Sequence, residues 1–209
     1  MAANKISLRE LVPIMADYRA AFPDWQLARG DILVRFGVLI AQVIWFDRLR
    51  TGDYRPTCGV YVLVAPSKEG GTSVLSQVLN IKIREITRQA HAQSLSGAVS
   101  ALKSEILPSL GKPLDERVVA ELLRERAKGR PANAYALACL LAALGRADDA
   151  IRWIGEYHSA LAGLCLPSQP VDVERDAFLK KVEEWLKFPG RDARFAEVVE
   201  QQKSRLLRS

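Results

Sequence analysis

Hydrophobic positions along the chain change period twice, and the changes predict the order of elements. From Ser7 to Phe22, Leu8, Leu11, Val12, Met15, Tyr18 and Phe22 recur at helical spacing. Ser7 followed by Glu10 fits a capping box, and Pro13 is the point where this helix can bend. Pro23-Asp24 ends it. Three runs rich in Val, Ile, Phe, Trp and Tyr follow, Trp25 to Phe36, Val38 to Leu49 and Arg55 to Val64. Such residues suit a pleated, half-buried surface, and Gly37 and Thr51-Gly52-Asp53 supply the turns of an antiparallel meander. The polar stretch Ala65 to Ser73 reads as a loop. The alternation Leu79-Asn-Ile81-Lys-Ile83-Arg-Glu-Ile86 then predicts a fourth strand, with Ile83 to Ala90 also compatible with a helix.

Beyond Ser94 the pattern is helical, punctuated by Pro and Gly. Helices are expected over Leu95 to Leu107, Asp115 to Lys128, Ala132 to Leu144, Ala147 to Leu164, a segment capped by Asp172 and reaching Lys187, and Asp192 to Leu207. The expected fold class is α+β: an N-terminal helix, a four-stranded antiparallel sheet, and a C-terminal bundle of about six helices. One domain over 1–209 is expected, with residues 1–90 forming the helix and meander and residues 91–209 helical. In this arrangement helices cover one face of the sheet and the other face is partly solvated.

Composition narrows the class without naming a chemistry. With 209 residues, 49% hydrophobic and 26% charged, the chain can bury an ordinary core, which excludes wholesale disorder. Cys58, Cys139 and Cys165 form no Cys-x-x-Cys pair, so free buried thiols in a reducing, cytoplasmic setting are expected. No run approaches the ~18 apolar residues of a membrane span. The net charge of +6 raises a nucleic-acid reading. Against it, the basic residues alternate with acids, as in Asp115 to Arg126 and in Glu174-Arg-Asp176 followed by Lys180-Lys-Val-Glu-Glu184, the pattern of solvated helix faces.

Candidate chemistry is sparse. His91 and His158 have no second His, Cys or carboxylate at metal-ligand spacing, so neither a metal nor a cofactor is expected. Either histidine could serve as a general base; His91, with Glu85 nearby, is the stronger candidate, and His158 is expected to pack beside Trp153 and Tyr157. Gly70-Gly71-Thr72-Ser73 lacks the Lys and the earlier Gly of a phosphate loop and reads as a flexible hairpin loop. Ser100-Ala-Leu-Lys103 and Ser109-Leu-Gly-Lys112 match a Ser-x-x-Lys nucleophile pattern without its companion motifs. No catalytic residue is assigned. Arginines and aromatics interleave around the second hairpin turn, which makes Trp45, Arg48, Arg50, Asp53, Tyr54 and Arg55 the expected partner-binding surface.

The segment Ala136 to Ala150, with its Leu144-Gly145-Arg146 turn and following Asp-Asp-Ala, is similar to a tetratricopeptide-type helix hairpin. No second copy stands at the period of ~34 residues, so the hairpin is expected to support the domain rather than start a solenoid. Taken whole, the leading helix, the Trp25 entry into the meander, Gln42 on its central strand and the trailing helices resemble small bacterial immunity proteins that neutralise polymorphic or contact-dependent toxins. That resemblance implies a cytoplasmic, non-catalytic protein that binds and blocks a toxin domain. Immunity proteins against nucleases are often acidic, whereas this chain is basic, which points to another toxin class or to a local acidic contact such as Asp148-Asp149. A nucleic-acid-binding protein using the basic hairpin tip is the alternative.

Overall fold

The computed structural model describes residues 6–28, 31–49, 52–68, 70–78, 86–87, 89–104, 110–164 and 169–208. The first helix, α1, spans Leu8–Ala21. Its start is fixed by a reciprocal cap: the Ser7 N–H donates to Glu10 Oε2 at 2.9 Å, and the Glu10 N–H donates to Ser7 Oγ at 3.3 Å. Strands β1 (Gln26–Ala28), β2 (Ile32–Phe36), β3 (Ile40–Arg48), β4 (Tyr54–Val62) and β5 (Thr72–Val78) follow, all antiparallel and in sequential order. Seven helices are seen among the described residues. After α1 come α2 (His91–Ser104), α3 (Glu116–Ala127), α4 (Pro131–Ala143), α5 (Ala147–Gly163), α6 (Pro170–Trp185) and α7 (Arg191–Leu207).

The α+β class is therefore as expected, and the sheet has five strands where four were expected. Part of the difference is the Trp25 to Phe36 run, which folds back on itself as β1 and β2, pairing Leu27 with Leu33. The rest lies in β5. It begins at Thr72, inside what reads as a loop, because its polar residues still complete the ladder to β4, Thr72 opposite Val62 and Ser73 opposite Tyr61. Most of the expected strand Leu79 to Ile86 lies outside the described residues; Ile86 itself forms an isolated bridge to Tyr54. The β4–β5 ladder slips near Leu75, whose φ of 51° marks a bulge. The expectation of a cap at Asp172 is also corrected. Gln169 is the N-cap of α6, and Asp172, one turn on, accepts the Gln169 N–H at 3.3 Å.

Both faces of the sheet are covered, contrary to the expectation of a partly solvated face. Leu33, Ile44, Phe46, Tyr54 and Cys58 pack with Leu11, Met15 and Tyr18 of α1 and with Ala98 and Leu102 of α2. Val34, Ala41, Val43, Val60 and Val62 belong to a larger cluster with α3 to α7. Alternation along β2 and β3 sends neighbouring side chains to opposite clusters, so the meander's nearly unbroken apolar runs need two covering layers.

The glycine-hinged hairpin supplies the centre of the larger cluster. Nine successive residues of α4, Ala134 to Ala142, are buried, as in a helix surrounded on all sides. Gly145, at φ 81°, turns the chain into α5. There Asp149 meets Arg124 at 2.9 Å, Arg146 at 2.6 Å and Arg152 at 2.7 Å. The Arg124 hydrogen bond and the surrounding guanidinium charges hold its carboxyl below the usual carboxylate range. Hydrogen bonds tie further loops to this scaffold. Glu116, at the start of α3, accepts the N–H groups of Val38 (3.1 Å) and Leu39 (3.3 Å). Gln42 accepts from Arg35 Nη2 at 2.7 Å and donates to the Lys112 carbonyl at 3.1 Å.

Candidate functional site

At the hairpin tip expected to bind a partner, one aromatic is turned inward. Tyr54 is wholly buried between α1 and α2, which removes it from any contact surface. Trp45, Arg48, Asp53 and Arg55 are half-buried, and Arg55 pairs with Asp47 at 3.6 Å. Arg50 lies outside the described residues. The physical reason is the amphipathic character of Tyr: its ring completes an aromatic cluster with Tyr18 and Phe46, and its hydroxyl has a partner inside.

That partner is His91. The Tyr54 hydroxyl lies 2.6 Å from His91 Nδ1, and His91 Nε2 lies 2.9 Å from the Asp17 carboxylate. An ionised carboxylate only accepts, so Asp17 selects the Nε2–H tautomer of neutral His91, and Nδ1 then accepts the Tyr54 proton. The Tyr18 hydroxyl, 3.5 Å from that of Tyr54, extends the chain. Burial pushes the Tyr18 hydroxyl up to about 12 and drives that of Tyr54 far higher, so both keep their protons at neutral pH. Asp17 is half exposed, but the oxygen at the far end of the chain is sealed. The arrangement joins α1, α2 and β4. It offers a reacting partner no exposed tyrosine oxygen.

The other sequence candidates are dispersed. Glu85 lies outside the described residues, as do Ser109 and Cys165. Lys103 sits over the Phe22 ring at 5.1 Å. His158 lies edge-on to Tyr157 and 3.7 Å from Asp176, half exposed. Cys58 and Cys139 are buried and form no disulfide, and burial raises the Cys58 thiol to about 12. No cluster of three or more His, Cys, Asp or Glu suited to a metal occurs among the described residues. No helix among them is long and apolar enough to cross a membrane.

Cationic and aromatic side chains converge elsewhere, along α6. Val171, Arg175, Phe178, Lys181 and Trp185 recur every three or four residues, which places them on one stripe about 21 Å long at the rise of an α-helix. Facing the stripe are Pro66, Ser67 and Lys68 after β4, Gly71 with Thr72 and Ser73 at the start of β5, Ala132 and Tyr135 of α4, and Arg205 of α7, which together enclose a groove of about 620 Å³. Gly70 allows this approach. At φ 97° it touches α7 so closely that a Cβ would lie 2.6 Å from Leu206 and 2.9 Å from the Gln202 carbonyl oxygen. Gln202 is buried and accepts the Ser67 N–H at 3.3 Å, while Arg205 donates to the Ser67 carbonyl at 3.0 Å.

The groove has a fixed floor and an adjustable rim. Arg175 lies over the Tyr135 ring at 5.5 Å and 3.5 Å from Asp172, with little of its side chain exposed. Phe178 meets Tyr135 and Trp185 edge-on. At the rim, Lys68 pairs with Glu174 at 3.6 Å, both largely exposed, and Lys181 meets no carboxylate among the described residues. Past Lys181 the depression continues by Trp185, Arg194 and Glu197 toward Phe188, which is 67% exposed. In the sequence Lys180 to Glu184 has the pattern of a solvated face, which hides this groove. The signal in the sequence is the stripe's mixture of aromatics and cations; the opposing wall is assembled from three other parts of the chain, the start of β5, α4 and α7. Set against known proteins, the chain matches no protein-family model, no curated protein and no solved structure.

Proposed function

We propose that this chain is a protein-binding module that acts by occupying a partner's surface rather than by catalysis, with a toxin domain as the partner class. The observation that carries the binding reading is the α6 groove, where cations and aromatic edges surround about 620 Å³ of accessible volume. Anchors of this kind dominate affinity when a partner side chain fills them, while surrounding charges govern encounter rate. A stable interface covers about 800 Å² of each partner, more than the groove alone, and the exposed Val171 and Phe188 at the two ends of the depression extend the apolar area available. The toxin class rests on the outline resemblance of helix, meander and helical tail.

The nucleic-acid alternative has less support, since its hairpin tip has Tyr54 inside the core. The test is co-expression of this chain with toxin domains encoded beside its gene. Restored growth, together with a co-purified complex of defined stoichiometry, is the expected outcome. Failure to rescue or to bind any of them would remove the toxin-neutralising reading. Retention of single-stranded DNA in place of a protein would replace it with the alternative.

A further inference from the structure

We infer that the α6 groove takes a short acidic peptide segment of the partner, with carboxylates on Lys68, Lys181 and Arg205 and an aliphatic or aromatic side chain against Val171 and Phe178. This rests on the binding reading above and assigns it a ligand chemistry. Among the described lining residues stand four cations, Lys68, Arg175, Lys181 and Arg205, and one carboxylate, Glu174; with Lys68 paired to Glu174 and Arg175 to Asp172, the excess positive charge lies at Lys181 and Arg205. Like-signed groups around a partly apolar concavity leave a positive potential that an entering carboxylate neutralises. Arg175 is already oriented by Tyr135 and Asp172, so it contributes a preset charge. The Lys68–Glu174 pair is exposed on both sides, worth little in water, and exchanges readily for a partner carboxylate.

The spacing of charge favours a peptide over a nucleic-acid strand. Along the continuation of the groove Glu184 and Glu197 alternate with Arg191 and Arg194, so a backbone carrying a phosphate at every nucleotide would meet carboxylates between the cations. A peptide places its carboxylates only where cations stand. The stripe of about 21 Å accommodates roughly six residues of extended chain at ~3.3 Å each.

The experiment is selection of random dodecapeptides on the immobilised full chain, with K68E/K181E as counter-target. Both substituted side chains are exposed, and circular dichroism checks that the fold is kept. The expected result is enrichment of sequences bearing two or more carboxylates around a Leu, Ile or Phe. A fluorescein-labelled winner should lose roughly tenfold or more in affinity on the double variant and weaken as salt is raised. Peptides without acidic bias, equal binding to both proteins, or no enrichment would overturn the proposal. So would labelled oligothymidylate that binds the groove and displaces the peptide. If a cognate protein partner binds K68E/K181E undiminished, the binding function survives and the groove is not its site. If acidic peptides bind while no protein partner is found, the groove chemistry stands and the function reading falls.

Discussion

Beneath α1 and α2, the sheet hides Tyr18, Tyr54 and His91 in a chain of hydrogen bonds that ends on Asp17; across the sheet, α6 leaves Lys181 and Arg205 beside open volume. The first set holds the residue types from which catalytic sites are made, yet each polar atom named is matched within the protein and the tyrosine oxygens have no path to a ligand. The second set contains no histidine, and its polar groups stand at an edge where a ligand can reach them. The contrast teaches that chemical reputation is a poor guide to function when burial runs the other way. A buried, satisfied network costs little and joins elements; cations gathered around an apolar hollow are what the proposed binding function draws on.

The largest expected effect breaks the side on which the groove is built. Leu140→Ala removes a fully buried side chain at the centre of α4 and should cost about 2–5 kcal/mol in chemical denaturation. Because α4 supplies Ala132 and Tyr135 to the groove, peptide affinity should fall with it; unchanged affinity would mean that the groove is independent of its supporting helix.

High pH should strike the sealed side. A tyrosine whose folded value lies above its unfolded value of about 10 contributes stability that is complete below pH 10 and is lost as pH rises through the folded value. For Tyr18, at about 12, the loss is about 2 kcal/mol by pH 12. Thermal melts from pH 8 to pH 12 should show it, and Tyr18→Phe should lessen the dependence while buried Tyr54 and Tyr135 maintain the rest. A profile identical in both proteins would place Tyr18 in a wetter setting than the one described.

Tyr54→Phe sharpens the comparison with the smallest change. It leaves His91 Nδ1 without its donor and should cost about 1–2 kcal/mol, with groove affinity unaltered. A change in binding of the same size as that of K68E/K181E would show that the sealed network and the groove are coupled.

Helix starts and stops are legible because their causes are local. Ser7 with Glu10, Asp115 ahead of α3 and Gly145 after α4 each act within one turn, and the structure places α1, α3, α4, α5 and α7 within a residue or two of the sequence expectation. Less legible is β5, since Thr72 and Ser73 have little strand character of their own and are recruited by the free edge of β4. Likewise the pattern around Tyr54 shows an aromatic among arginines, but not that α1 and α2 close over it.

By itself, then, the sequence determined the α+β order, the helix caps and the apolar hairpin at Ala134 to Ile154, because period, capping and turn chemistry are properties of neighbouring residues. Tertiary structure alone decided that both faces of the sheet are covered, that Asp17, Tyr54 and His91 meet, and that Lys68, Lys181 and Arg205 share one groove. Those outcomes depend on which distant surfaces exclude water together, and no local pattern encodes the choice.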